Sequence, residues 1–278
     1  MKLNLKDITI CAVDCVNPNL AINAITKSLN VCEFSESILF TDSNKDYESI
    51  KTVRIDQIRS KNEYSRFLLK DLYKATKTPF VLIVQWDGYV LESKAWSDIF
   101  YDYDYIGAKW PWHSDMKVGN GGFSLRSRKL LELMASDDLP FIEGENEDEQ
   151  ICRIHYQVLQ SKYNVQFAPE SIADQFAYER SIPDKPTFGF HGLFNMWRYL
   201  NDDEIIILSN SLDKKIFHSI EYFELVTTYY ALKKFKVLAT LFRHIRENCS
   251  TDEINKMFFI TTKNAGFQNI LSNILPLS

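Results

Sequence analysis

The sequence predicts an α/β protein with a mostly parallel, Rossmann-like sheet flanked by helices and a helical C-terminal extension. Three observations support this prediction. Short apolar strand patterns alternate with helical patterns over residues 1–110. One of these strands, Phe80–Val84, is apolar throughout, as strands buried on both faces are. After residue 200 the spacing is mainly helical. Strand–helix alternation of this kind is typical of parallel sheets covered by helices.

Each element of the first half follows from its local pattern. Ile8–Val13 is short, apolar and rich in β-forming residues, so it predicts the first strand. Asn17-Pro18 opens a helix, because Pro suits the first turn and apolar residues then recur at helical spacing as far as Val31. The remaining predictions in this half are strands at Ser37–Phe40, Lys51–Ile55 and Phe80–Val84, and helices at Glu63–Thr76 and Ser127–Ala135.

The second half is less regular. We expect a helix over Gln150–Val158, a strand at Val165–Ala168, and either a strand or a helix start at Asp202–Ser209. Asp213–Asn248 is helical in pattern and broken near Leu232–Lys234. The change in character places a domain boundary near residue 200, which gives an α/β domain at 1–200 and a mainly helical extension at 201–278.

Composition narrows the classes of protein. The net charge of −5 argues against a broad nucleic-acid surface, so no nucleic-acid partner is expected. No apolar run approaches the ~20 residues that span a bilayer. The N-terminus lacks a signal-peptide pattern, and the five cysteines are scattered and odd in number, so we expect reduced thiols and a cytoplasmic location. A basic stretch near the C-terminus is either a solvated helix face or a contact for an anionic acceptor or the inner membrane surface; it contains Lys233, Lys234, Lys236, Arg243 and Arg246.

Polar residues follow several predicted strands. In parallel sheets, ligands bind beyond the carboxyl ends of the strands. The residues at these ends are Asp14, Asp42, Asp56 and the segment Gln85-Trp86-Asp87. Asp is also a common turn residue, so each position alone is ambiguous. Asp87 could hold Mg²⁺ or Mn²⁺, and His191, between Gly189 and Gly192, is a second candidate ligand whose imidazole favours Mn²⁺.

Two further segments suggest chemistry. Gly119-Asn120-Gly121-Gly122 holds three glycines in four residues, which permits close approach of backbone to a ligand, although a hairpin turn explains the same pattern. The acidic run Glu143–Glu149 contains Glu147 and Asp148, either of which could act as a general base. Acidic residues that complement the dipole at a helix N-terminus are the structural alternative.

Three motifs occur together in a fixed order. They are Gln85-Trp86-Asp87, then Tyr103–Trp110 with the sequence YDYIGAKW, then Gly119–Arg126 with the sequence GNGGFSLR. In these motifs the chain resembles a family of largely uncharacterised glycosyltransferase-like proteins with a GT-A fold. The resemblance covers roughly residues 5–195. It implies transfer of a sugar from a nucleotide-diphosphate donor to a hydroxyl of a glycan or lipid-linked acceptor, as in cell-surface polysaccharide biosynthesis.

The resemblance also implies roles for individual residues. GT-A enzymes bind a divalent metal and the donor diphosphate through an Asp-x-Asp motif, which here reads Gln85-Trp86-Asp87, with Asp87 and His191 as metal ligands. Glu147-Asp148-Glu149 resembles the acidic motif of animal galactosyltransferases, whose second acid is the base of an inverting reaction, and this places catalysis on Asp148. The implied donor-binding residues are Val13, Asp14, Asp42, Gln85, Trp86 and Asp87. The implied sugar- or acceptor-binding residues are Trp110, Asn120, Gly121, Gly122 and Glu147.

Two alternatives stay open at this point. A nucleotidyltransferase would also use a metal and a diphosphate, but it needs a Gly-rich basic loop after the first strand, where this chain reads DCVNP. A non-catalytic carbohydrate-binding protein could keep the same scaffold and use Trp86, Trp110 and Trp112 for stacking on sugars.

Overall fold

The structure is a computed structural model that describes residues 1–43, 45, 47–182, 184–264 and 266–275. The chain divides into two compact units, Met1–His191 and Gly192–Ser278. Over the described residues, no helix is both long and apolar enough to cross a membrane.

The first unit is built on β-strands. They are β1 (Leu3–Val13), β2 (Cys32–Thr41), β3 (Lys51–Arg54), β4 (Phe80–Val84), β5 (Tyr105–Ile106), β6 (Phe123–Ser127), β7 (Ala177–Tyr178) and β8 (Gly189–Phe190). Within the described ranges, the main sheet has six strands in the order β3-β2-β1-β4-β6-β5, and β7 pairs with β8 in parallel. Among the strands that the structure describes in the main sheet, β6 alone is reversed, since it runs antiparallel to both β4 and β5. The predicted α/β class with a mostly parallel sheet is confirmed.

Helices flank this sheet and fill the second unit. In the first unit they are α1 (Pro18–Val31), α2 (Lys61–Lys70), α3 (Leu72–Ala75), α4 (Arg128–Ala135), α5 (Glu147–Glu149), α6 (Tyr156–Tyr163) and α7 (Glu170–Phe176). In the second unit they are α8 (Asp202–Ser211), α9 (Ile220–Ala231), α10 (Phe235–Asn248), α11 (Thr251–Thr262) and α12 (Phe267–Ile274).

Strand β4 lies at the centre of the core. It pairs with β1 in parallel on one side and with β6 on the other. Val81 and Ile83 pack in one apolar cluster, and Leu82 and Val84 pack in another. Alternate residues of a strand face opposite sides of a sheet, so both faces of β4 are covered by apolar groups. This explains why its sequence shows no polar alternation.

The reversed strand β6 was not predicted. Its first residue, Phe123, pairs with Val84, the last residue of β4. The Gln85 amide continues this pairing by donating a hydrogen bond to the Gly122 carbonyl oxygen at 2.8 Å. The segment that precedes β6 therefore reaches the same sheet edge as the segments that follow the parallel strands.

Some predicted elements differ from the structure. The helix expected at Glu63–Thr76 is split into α2 and α3 at Asp71. The strand expected at Val165–Ala168 is reduced to a single bridge between Tyr105 and Phe167. The helix expected from Gln150 begins as a π-helix over Gln150–Ile154, in which the His155 amide donates to the Gln150 carbonyl oxygen at 2.9 Å.

The second unit is helical, as expected. Asn201 and Glu204 form a capping box at the start of α8, which shows that Asp202–Ser209 is a helix and not a strand. The predicted break near Leu232–Lys234 separates α9 from α10. Part of the basic stretch is paired with acids of the same unit, because Lys234 lies 2.7 Å from Asp202 and Lys236 lies 3.0 Å from Asp203.

Candidate active site

The end of β4 carries the first part of the site. Directly after Val84, the chain turns through Gln85-Trp86-Asp87, and the Gly88 amide closes the turn on the Gln85 carbonyl oxygen at 3.1 Å. The Gln85 side-chain amide donates to the Tyr64 hydroxyl on α2 at 3.0 Å. That bond uses the side-chain nitrogen Nε2 of Gln85, so the side-chain oxygen Oε1 remains available for a different contact. The Asp87 side chain is only 11 % exposed.

The parallel pair β7 and β8 carries the second part. Tyr178 is in register with Phe190, so the residues that follow them, Glu179 and His191, become neighbours. The His191 amide donates to the Tyr178 carbonyl oxygen at 3.0 Å and extends this ladder by one step. The two strands thus fix the His191 imidazole against the Glu179 carboxylate, whose Oε1 lies 3.0 Å from Nδ1.

These two parts meet at the His191 ring. Nε2 lies 3.3 Å from Asp87 Oδ1 and 3.1 Å from Gln85 Oε1. On the other side, Nδ1 faces Glu179 and lies 3.3 Å from the Asn120 amide nitrogen. The sequence-predicted pair of Asp87 and His191 is therefore in direct contact, with Gln85 and Asn120 beside it.

The charges around His191 decide its protonation state. Burial lowers the pKa of His191, but the Asp87 and Glu179 carboxylates outweigh burial and hold that pKa well above its usual range. The ring is then an imidazolium that donates from both nitrogens. A metal ligand must be neutral, so a cation binding here replaces the Nε2 proton.

The donor atoms fit a divalent cation. The Asp87 carboxylate oxygen lies 3.3 Å from His191 Nε2, and the Gln85 amide oxygen lies 3.1 Å from the same nitrogen. Adjacent ligands of an octahedral ion at ~2.1 Å lie about 3.0 Å apart. Oxygen ligands with one imidazole suit Mn²⁺ or Mg²⁺. The buried Asn120 Oδ1 next to this set has no hydrogen-bond partner among the described residues, which leaves it available to a ligand.

The glycine segment joins this cluster to the acidic run. The Gly121 amide donates to Asp148 Oδ2 at 3.0 Å. A Cβ on the next residue, Gly122, would lie 2.1 Å from His191 Nε2, so the absence of a side chain there lets the backbone lie against the ring. Asp148 and His191 therefore contact adjacent residues of one segment, which brings the predicted base and the predicted metal ligand to one region of the sheet edge.

A buried ion pair lies next to the Gly119–Gly122 segment. Arg126 on β6 donates from Nη2 to Glu147 Oε2 at 2.8 Å, and the two side chains are 0 % and 5 % exposed. Arg126 also donates from Nε to the Ser124 hydroxyl, which donates to the Gly121 carbonyl oxygen. Burial raises the pKa of the Glu147 carboxyl, and the Arg126 guanidinium opposes that rise. Glu147 is thus buried against Arg126 and lies next to Gly121.

The residues at the carboxyl end of β1 lie beside the cluster around His191. Val13 pairs with Phe40 on β2, and Asp14 Oδ1 accepts hydrogen bonds from the Val16 and Asn17 amides at 2.7 and 2.6 Å. Burial raises the pKa of Asp14, these amides lower it, and the charge of Asp87 adds to the rise. Asp14 and Asp87 therefore act electrostatically on each other.

Asp42 lies at the end of the next strand. Burial raises the pKa of the Cys15 thiol, and the charges of Asp42 and Asp14 add to this rise. Cys15 is therefore close to both carboxylates. Asp56, at the end of β3, is exposed.

The tryptophans differ in their surroundings. Trp110 is 3 % exposed, packs in an apolar cluster and lies with its ring against Gly119. Trp110 therefore packs against the Gly119–Gly122 segment. Trp112 is 57 % exposed and stacks on Trp110. Trp86 is half-buried against the core.

Sequence reasoning missed two supporting residues. Glu179 follows a strand of only two residues, and no motif marks it. Arg126 is fully buried, and a buried Arg requires a partner such as a carboxylate. The sequence alone shows neither this burial nor which of the acids is the partner.

The chain belongs to a family whose model, described as "Protein of unknown function (DUF5672)", matches residues 48–191. This range contains every residue of the cluster around His191. No curated protein matches the sequence.

Several solved structures are similar in part. The mannosyltransferase PcManGT from Pyrobaculum calidifontis, in complex with GDP-Man and Mn²⁺, is 10 % identical with a TM-score of 0.42, over 96 % of this chain and 84 % of that chain. A glycosyltransferase involved in glycosylation of the major capsid of PBCV-1 is 12 % identical with a TM-score of 0.37, over 55 % and 78 %. TarS 1–349 from S. aureus, in complex with UDP-GlcNAc, is 13 % identical with a TM-score of 0.36, over 96 % and 83 %.

Proposed function

We propose that this protein is a metal-dependent glycosyltransferase. It would move a sugar from a nucleotide-diphosphate donor to a hydroxyl of a glycan or lipid-linked acceptor, with inversion at the anomeric carbon. The observation that carries the proposal is the Gly121-Gly122 segment, because Asp148 contacts Gly121 and the His191 ring lies against Gly122. A base and a cluster of metal ligands are the two groups that this reaction requires on either side of the sugar.

The donor would bind through the strand ends. Asp87 and His191, with Gln85 beside them, would hold Mn²⁺ or Mg²⁺. A bound cation would neutralise the charge that develops on the departing diphosphate. Val13, Asp14 and Asp42 lie at neighbouring strand ends, where the nucleoside of such a donor would be expected.

Asp148 would act on the acceptor. Its Oδ2 accepts one hydrogen bond from the Gly121 amide, and this bond orients the carboxylate. As the acceptor oxygen forms its bond to the anomeric carbon, Asp148 would take the hydroxyl proton. The bond between the anomeric carbon and the phosphate oxygen breaks with its electron pair on the leaving nucleoside diphosphate.

A thermal-shift screen of UDP-, GDP-, CMP- and dTDP-linked sugars with and without Mn²⁺ tests the donor site. A ligand that binds only the native state raises the Tm. We expect a Mn²⁺-dependent rise for one nucleotide class, followed by release of free nucleoside diphosphate in a donor-hydrolysis assay. Asp87→Ala should remove both effects.

Asp56→Ala is the matched control, since it removes an exposed acid at another strand end. It should leave the shift and the hydrolysis unchanged. Sugar binding without release of any nucleotide product would contradict transfer and favour the carbohydrate-binding alternative.

A further inference from the structure

The C-terminal unit contains a second group of metal-ligating side chains, which the proposed reaction does not use. His218 ends the 3₁₀-helix Lys214–His218, Cys249 caps the end of α10, and Glu253 lies in the first turn of α11. One ligand atom from each residue lies within 4.8 Å of the other two. Three separate elements thus bring a thiol, an imidazole and a carboxylate together.

The contacts converge on one ring nitrogen. Cys249 Sγ lies 3.6 Å from His218 Nδ1, and Glu253 Oε1 lies 2.7 Å from the same Nδ1. A nucleophile and an orienting acid would instead contact different ring nitrogens, so that the imidazole takes the proton of the nucleophile on one nitrogen while the acid holds the other. The observed arrangement does not match such a triad, whereas three ligand atoms within 4.8 Å of one another are close enough to share a cation.

The distances suit zinc. With Zn–S of about 2.3 Å and Zn–N of about 2.0–2.1 Å in tetrahedral geometry, the sulfur and nitrogen lie about 3.6 Å apart. The Cys249–His218 separation already has this value. A carboxylate oxygen and an imidazole nitrogen on the same ion lie about 3.4 Å apart. Glu253, whose side chain is 32 % exposed, would reach that position by a small adjustment of its rotamer.

Backbone contacts hold the three ligands in place. The Cys249 amide donates to the Ile245 carbonyl oxygen at 2.8 Å at the end of α10. The Ser250 hydroxyl accepts from the Glu253 amide at the start of α11. Phe217, next to His218, is buried and stacks on the His244 ring at 4.8 Å. The ligand positions are therefore set by the fold and do not depend on a flexible loop.

We propose that His218, Cys249 and Glu253 bind one Zn²⁺ ion whose fourth position faces solvent. The ion would join the segment before α9 to the junction of α10 and α11, and so clip the helical unit together across 31 residues of chain. A thiol binds zinc as a thiolate, so formation of the Zn–S bond would release the Cys249 proton to solvent.

Cobalt titration of the metal-free, full-length protein tests this proposal, because a thiolate bound to Co²⁺ gives a charge-transfer absorption in the near ultraviolet. We expect that absorption to saturate at one equivalent and to disappear when Zn²⁺ is added. Cys249→Ser should remove it. Cys15→Ser is the matched control, a half-exposed cysteine outside the cluster, and it should keep the absorption.

Two more variants separate this site from others. Glu253→Gln should weaken cobalt binding by at least the roughly tenfold that losing even an outer-shell partner costs. Asp87→Ala should leave the absorption unchanged, which distinguishes this site from the one proposed for the donor. If Cys249→Ser fails to fold by circular dichroism, His218→Asn replaces it. No absorption with cobalt, or an absorption that survives loss of Cys249 or His218, would overturn the proposal.

Discussion

His191 illustrates how single residues build the site. Asp87 and Gln85 approach one nitrogen of its ring, and Glu179 approaches the other. The Asp87 and Glu179 carboxylates favour a positive charge on the buried His191 ring. The same negative charges would favour a metal cation that replaces the Nε2 proton. The backbone of Gly122 lies against the ring, so a side chain at that position would occupy the space of the ring itself.

Replacement of Asp148 tests its proposed role as the catalytic base. Asp148→Asn keeps the size of the side chain but removes its ability to take a proton. We expect turnover to fall by about 10²–10⁴-fold, while the affinity for Mn²⁺ and nucleoside diphosphate stays unchanged in calorimetry. Glu149→Gln, one residue further along, is the control and should keep most of the turnover. An active Asp148→Asn enzyme would show that another group is the base.

Strand β6 and helix α5 are linked by the Arg126–Glu147 ion pair, and loss of one partner should lower the free energy of unfolding. Both side chains are buried, so removal of one partner leaves a charge without compensation. Glu147→Gln should lower the free energy of unfolding by about 3–5 kcal/mol. Urea unfolding followed by circular dichroism measures the change.

Two variants test whether burial causes that loss. The double change Arg126→Met with Glu147→Leu removes both charges and should recover much of the stability, since apolar replacements of buried pairs are often neutral. Glu33→Gln breaks an ion pair with Lys6 in which both side chains are more than half exposed, and it should have no measurable effect. Equal losses in Glu147→Gln and Glu33→Gln would rule out burial as the cause.

The elements that could be predicted are those with a local signal. β4 was predicted at its observed bounds because a continuous apolar run marks a strand covered on both faces. β6 could not be predicted, because its residues follow a glycine-rich segment that also fits a turn, and its pairing with β4 is a long-range contact. The single bridge at Phe167 in place of a strand has the same cause, since apolar residues alone do not specify a hydrogen-bonding partner.

For the whole molecule, the two-unit division makes a prediction about a fragment. Every residue of the proposed donor and catalytic site lies in Met1–His191. A fragment of residues 1–200 should therefore fold and bind Mn²⁺ with nucleoside diphosphate at an affinity close to that of the full chain. Calorimetry on both proteins gives the comparison. A folded fragment without that affinity would show that the site needs residues of the second unit.

The candidate site was predictable in part, for a physical reason. Strand ends in a parallel sheet meet at one edge, so Asp14 and Asp87 could be placed together from strand order alone. The contact of His191 with Asp87 depends on the short pair β7 and β8, which has almost no sequence signal. The buried surroundings of Trp110 and Glu147 were also invisible, because burial depends on the packing of segments that are distant in sequence.

The π-helix Gln150–Ile154 has a consequence for the angle at which Asp148 is presented. Each α-helical residue advances the chain by about 100° around the axis, and the wide turn adds one residue between α5 and α6. Gln150 stabilises it by bonding to the backbone of Ile142 and Glu145. A family member with an uninterrupted α-helix at this point would need its acidic residue one position away from that of Asp148. Only then would its carboxylate point in the same direction around the helix axis. Sequence comparisons across this family should then place a one-residue gap within the π-helix whenever the acid is offset.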